Sequence, residues 1–161
     1  MRFVTMPHLR GPAMLAPIVA RVVIGSIMAA HGWMKLQGGP ENFGNTLLTD
    51  IGVPAPVFMA YVITFLELVG GIALIVGLLS RVFAVAIAVI LTVATLAVKT
   101  DYGFLSQPKA AFPGAELDLA LIAGALVIAL LGPGRISLDS MLGIEREEAR
   151  GSHEQSALAA D

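Results

Sequence analysis

Four apolar stretches recur along the chain, each close to the roughly 20 residues that a helix needs to cross a ~30 Å hydrocarbon layer. Ala13 to Met34 is broken only by Arg21, Ser26 and His31. Ala55 to Leu79 carries a single charge, Glu67. Val82 to Val98 has none and is bracketed by Arg81 and Lys99, whereas Ala115 to Gly132 holds Glu116 and Asp118 in its first turn. Pro54 and Pro56 open the second stretch, Leu79-Ser80-Arg81 turns tightly into the third, and Gly132-Pro133-Gly134 stops the fourth. The pattern predicts an all-α membrane protein: a four-transmembrane-helix bundle within residues 1–143, with helices at about 13–35, 55–79, 81–99 and 115–132. Residues 144–161 read as a polar, disordered tail. In the first outer loop, Phe43, Leu47, Leu48 and Ile51 recur at helical spacing with Glu41, Asn42, Asn45 and Asp50 between them. That spacing predicts a short amphipathic helix lying on the membrane or over the bundle mouth.

Composition strengthens this picture. Of the 161 residues, 57% are apolar and only 14% charged, against roughly 25% charged in soluble domains, so too few charges remain to cover a water-facing surface. Arg2 and Arg10 precede the first stretch and Met28-Ala29-Ala30 loosely resembles a processing site, but Arg21 interrupts what would be the uncharged core of a signal peptide, and the stretch reads as a retained helix. Four spans place both termini on one side. Arg2, Arg10, Arg81, Arg135, Arg146 and Arg150 then share that side against Lys35, Lys99 and Lys109 on the other, which predicts cytoplasmic termini.

The chain has no cysteine. Disulfides, thiolate nucleophiles, Cys-bound iron–sulfur clusters and covalently attached haem therefore cannot be built from it. Three histidines with two in terminal segments do not suit a metal or bis-imidazole haem site, so no intrinsic cofactor is expected. The ten basic residues form no stripe, which argues against nucleic acid. Membrane lipid is the evident partner, and self-association is left open.

Charges within the apolar stretches carry the candidate chemistry, since each costs at least ~2.5–3.5 kcal/mol at mid-helix on insertion scales. Counting residues from the helix ends puts Arg21 ~12 Å and Glu67 ~18 Å from the cytoplasmic side, a difference an arginine stem can cover, and predicts an Arg21–Glu67 pair. Such a pair serves either helix packing alone or the floor of a cavity open to the outside. His31 and Glu116 are expected to form the polar upper wall of that cavity. Lys35, Lys99 and Asp118 are secondary candidates whose simpler role is capping or interfacial anchoring. Glu116 and Asp118 point ~200° apart on a helix, so at most one faces the centre easily. The recurrent Gly25, Gly32, Gly70, Gly71, Gly77 and Gly124 read as close-packing positions.

Taken in order, these features resemble the DoxX-like family of small four-helix membrane proteins over about Ala13 to Met141. The likeness rests on Arg21, Gly25 and His31-Gly32-x-x-Lys35, on Glu67-Leu68-Val69-Gly70-Gly71 with Leu74 and Gly77-Leu78-Leu79-Ser80-Arg81, and on Gly132-Pro133-Gly134-Arg135 with Ser137-Leu138-Asp139. The resemblance implies a subunit or anchor of a redox complex in a bacterial inner membrane. Some members look like the small subunit of a thiosulfate:quinone oxidoreductase, and others are linked with catechol or quinone stress. Actinobacterial members are associated with a superoxide dismutase and a rhodanese-type sulfurtransferase. A chain without Cys, haem ligands or a flavin motif cannot run electron transfer alone and would need a bound quinone or a cofactor-bearing partner. The expectation is therefore a membrane subunit or anchor of a redox complex that binds a quinone-like amphiphile, its catalytic part left open, with a carrier of lipid or hydrophobic solute and a ligand-free scaffold as alternatives.

Overall fold

The computed structural model describes residues 15–99, 104–105, 114–134 and 136–144, and every regular element among them is helical. The elements are α1 (Ala16–Gly38), α2 (Pro40–Phe43), α3 (Pro56–Val76), α4 (Ser80–Ala94), α5 (Ala115–Leu131) and α6 (Leu138–Met141). Five-residue π-helical stretches follow α2 at Gly44–Leu48 and α4 at Thr95–Lys99.

Three helices are long and apolar enough to cross a membrane: Ala16–Gly38, Pro56–Val76 and Ser80–Lys99, the last being α4 with its π-helical extension. The fourth expected span is shorter. Bounded by the extended backbone of Gly114 and by Gly132 at φ 82°, α5 has 17 residues, a length of ~26 Å at the standard rise. Between α1 and α3 Leu48 is buried, and Gly44 lies so near the start of α3 that a Cβ would stand 2.7 Å from Val57 Cα. Apart from Ile144, the polar tail lies outside the described residues.

The bundle is two helix pairs, α1 on α3 and α4 on α5, joined through α3–α4 and α1–α5 contacts. Its centre is filled by Ile24 and Met28 of α1, Leu74 of α3, Ile87 of α4, and Leu121 and Ile128 of α5. Each helix turns its other apolar residues outward. Val19, Val23, Phe58, Phe65, Val85, Val89, Val93 and Leu130 are all exposed. Helices apolar on every face suit a lipid surround rather than water.

Small residues set the α1–α3 distance. A Cβ on Gly25 would stand 2.6 Å from the Gly71 carbonyl oxygen, one on Gly71 would stand 2.5 Å from the Ala29 nitrogen, and one on Gly32 would collide with the backbone of Leu68. Backbone-to-backbone packing of this kind is how helices associate where lipid supplies no hydrophobic drive. It also fixes the register of everything else on the two helices.

Candidate functional site

With Gly32 opposite Leu68 and Gly25 opposite Gly71 and Ile75, the antiparallel register brings Arg21 level with Gly77. Ten residues of helix, about 15 Å, then separate that level from Glu67. The expected Arg21–Glu67 pair does not form. Counting depth from the ends of apolar stretches assumed that both helices start at the same plane, and the glycine contacts shift them past each other.

Glu67 is paired instead with Lys35. Nζ of Lys35 donates to both carboxylate oxygens at 2.5 Å. The Glu67 side chain is only 5% exposed and that of Lys35 24%. Glu67 lies nine residues, or about 14 Å, from the Val76 end of α3, close to the middle of the helix. Lys35 comes from the last turn of α1 and runs its stem along the α1–α3 interface. Its ammonium also stands 5.2 Å from the centroid of the Phe43 ring at the end of α2, within cation–π range. The pair thus joins α1, α2 and α3. Thr64, one turn from Glu67 on the same buried face of α3, has no solvent exposure. Nothing in the apolar spacing marks Thr64. Its only signal in the sequence is its place three residues before an intramembrane acid.

The expected upper wall is not assembled as a unit. His31 is exposed on α1, and Glu116 is half-buried at the start of α5, its amide donating to the Phe104 carbonyl at 3.0 Å. Of the two acids on α5, Asp118 is the one that turns inward. It accepts from Lys99 Nζ at 2.8 Å on one oxygen, and its other oxygen lies 3.0 Å from Thr95 Oγ1. Lys99 and Asp118 are 12% and 8% exposed. They tie the π-helical end of α4 to the first turn of α5. Among the described residues, no three His, Cys, Asp or Glu side chains gather closely enough to hold a metal ion.

Arg21 belongs to a third polar group, at the end of the bundle where α3 turns into α4. α3 stops at Gly77 in a left-handed conformation, where the Gly77 and Leu78 amides fold back on the Ala73 carbonyl at 2.9 and 2.8 Å. Leu79 follows with φ at +47°, unfavourable for a residue with a Cβ. Asp139, distant in sequence, holds this turn. Its two oxygens accept the amides of Leu79 at 2.7 Å and Ser80 at 2.9 Å, while its own amide donates to the Gly77 carbonyl at 2.9 Å. Asp139 therefore caps α4 from outside the helix. Ser137 caps α6 by accepting from Ser140 at 3.1 Å and so orients Asp139. Arg21 lies buried in the field of the Asp139 carboxylate, and its Nη2 donates to the Ile136 carbonyl at 2.8 Å. Arg81 closes the same end by donating to the Ala129 and Leu130 carbonyls, the last acceptors of α5. The Gly77–Arg81 run and the Ser137–Asp139 run are thus two halves of one clamp.

The DoxX family profile matches residues 16–100, from the start of α1 through the end of α4. Three curated proteins are similar over most of their length. "Putative oxidoreductase CatD" of Bacillus subtilis is 36% identical over 127 residues, covering 78% of this chain and 85% of that protein. "Uncharacterized membrane protein Rv3486" of Mycobacterium tuberculosis is 32% identical over 143 residues, 84% of this chain and 85% of its own. "Inner membrane protein YqjF" of Escherichia coli is 29% identical over 129 residues, covering 78% and 90%. No solved structure matches. With half of its length matched by the profile and two relatives above 30% identity across most of both chains, the chain belongs to the DoxX family of membrane proteins.

Proposed function

We propose that this protein is a membrane subunit or anchor of a redox complex and binds a quinone-like or similar amphiphile at the Lys35–Glu67 pair. The observation that carries the reading is an ion pair buried between two membrane-spanning helices, with both carboxylate oxygens engaged by one ammonium. Intramembrane charges are costly and mark binding or proton-transfer sites. Phe43 over the ammonium offers an aromatic surface for a flat ring. The absence of cysteine leaves the redox cofactor to the ligand or to a partner, for which a soluble sulfurtransferase or a dismutase-type protein is a candidate. The name of the Bacillus relative as an oxidoreductase leans the same way.

The test is binding of a short-chain ubiquinone or menaquinone analogue to the detergent-extracted protein. Wild type is expected to bind, and Lys35→Gln and Glu67→Gln to weaken binding at least about tenfold, the range of a charge-assisted hydrogen bond. Asp50→Asn, at an exposed helical position beyond the π-helical stretch, serves as control and leaves affinity unchanged. Lipid copurifying in place of quinone, identified by mass spectrometry, would instead make the protein a lipid carrier. No ligand of either kind would leave a scaffold.

In the membrane the reading takes α5 as a fourth span with both termini in the cytoplasm, following the excess of arginine on that side. The α2 segment then lies at the outer mouth. Reporter fusions after Gly38 and after the last residue are expected to give opposite signals, outside and inside. The same signal at both would remove one span.

A further inference from the structure

Threonine hydroxyls in the described helical segments share a habit. Those of Thr46, Thr92 and Thr95 lie 2.6–2.8 Å from the carbonyl four residues back, and that of Thr49 lies 2.9 Å from the carbonyl five back. Thr64 breaks it. Its Oγ1 is wholly buried and meets no polar atom, although the Ala60 carbonyl lies one turn behind it. A buried hydroxyl that forgoes its own helix and finds no other partner calls for an explanation, and a water or a ligand atom at that place supplies one.

The neighbours define what that atom is. Thr64 and Glu67 are three residues apart on one face of α3, with Cβ atoms ~5–6 Å apart at helical spacing, a gap that a single oxygen can bridge. Each Glu67 oxygen takes one bond from Lys35 and keeps lone-pair capacity, while the ammonium retains a third proton. An anion placed here would meet the Glu67 carboxylate, and a cation would meet the Lys35 ammonium. A neutral oxygen meets neither penalty and can accept the Thr64 proton. We infer that Thr64 Oγ1 and the Lys35–Glu67 pair form a subsite for one neutral oxygen: a carbonyl oxygen of the bound amphiphile, or a water molecule in its place. The inference rests on the reading of that pair as the ligand site and adds the chemical class that the site accepts.

Two arms test it on the full chain in detergent. Thr64→Val keeps the shape and removes the hydroxyl, Thr64→Ser keeps the hydroxyl, and Thr64→Ala replaces the valine variant if that one does not fold. With a short-chain ubiquinone analogue as probe, the valine variant is expected to bind about tenfold more weakly, as for one lost hydrogen bond, and the serine variant to stay within about twofold of wild type. Without probe, infrared difference spectra on exchange into H2(18)O are expected to show an isolated water O–H band in wild type and the serine variant, absent in the valine variant. Wild type that ignores the probe but shows the band defeats the amphiphile reading and keeps the subsite, as a water site. Valine behaving as wild type in both arms, or serine losing as much as valine, overturns the subsite itself.

Discussion

Replacing Lys35 by methionine is expected to cost the fold about 3 kcal/mol, the low end for breaking a buried ion pair. Glu67→Gln should cost distinctly less. The asymmetry follows from exposure: the Glu67 side chain is 5% exposed and cannot reach water once alone, whereas Lys35, at 24% and in the last turn of α1, can swing its ammonium toward the interface. Replacing both, Lys35→Met with Glu67→Leu, is expected to restore most of the loss, since an apolar pair of similar volume removes the desolvation cost along with the attraction. Reversible unfolding in mixed micelles measures all three, and the double-mutant cycle should show coupling of at least about 1 kcal/mol. Arg21→Leu combined with Glu67→Gln should be additive, because about 15 Å of helix lies between their levels. Coupling of Glu67 to Arg21 rather than to Lys35 would mean that the α1–α3 register is wrong.

The second large effect is expected at the Asp139 clamp. Asp139→Ala removes the acceptors of two amides at once, Leu79 and Ser80, and leaves Arg21 without the acid whose field it sits in. Charge-assisted bonds of this kind contribute ~1.5–3 kcal/mol each, and backbone relaxation recovers part, so a net loss of about 3 kcal/mol is expected. Asp139→Asn should fall between, because the amide keeps one acceptor oxygen and loses the charge. Hydrogen exchange at Leu79 and Ser80 should accelerate in step with the stability loss. An alanine variant that melts with wild type and keeps those amides protected would show that the left-handed Leu79 turn holds itself.

Three long apolar helices were legible in the sequence because lipid asks only for length and apolarity, and α5 was legible as a helix though it is shorter than they are. Arg21, Glu67, Lys35, Lys99 and Asp118 stand out for the same reason, as charges where charges are expensive. Which of them meet was not legible from depth counting. Pairing depends on how far two helices slide past each other, and that is decided by Gly25, Gly32 and Gly71, whose role as packing positions was readable but whose opposite numbers were not. Lys35 illustrates the difference: an ammonium at a helix end normally snorkels outward, and here it turns inward because Glu67 lies within reach of its stem. Asp139 was visible as part of a motif. Its use as a cap for a helix on the far side of the chain emerges only when the two runs meet in space.

That cap also has a timetable. Asp139 lies 60 residues beyond Leu79 and 59 beyond Ser80, the amides it holds. At a synthesis rate of ~5–20 residues per second, α4 leaves the ribosome several seconds before the carboxylate that closes its first turn exists. Throughout that interval the α3–α4 hairpin is in the membrane with its turn unfastened. Completion of α6, the last helix among the described residues, is therefore what fastens the hairpin, so a nascent chain interrupted before Asp139 lacks the acceptors of the Leu79 and Ser80 amides.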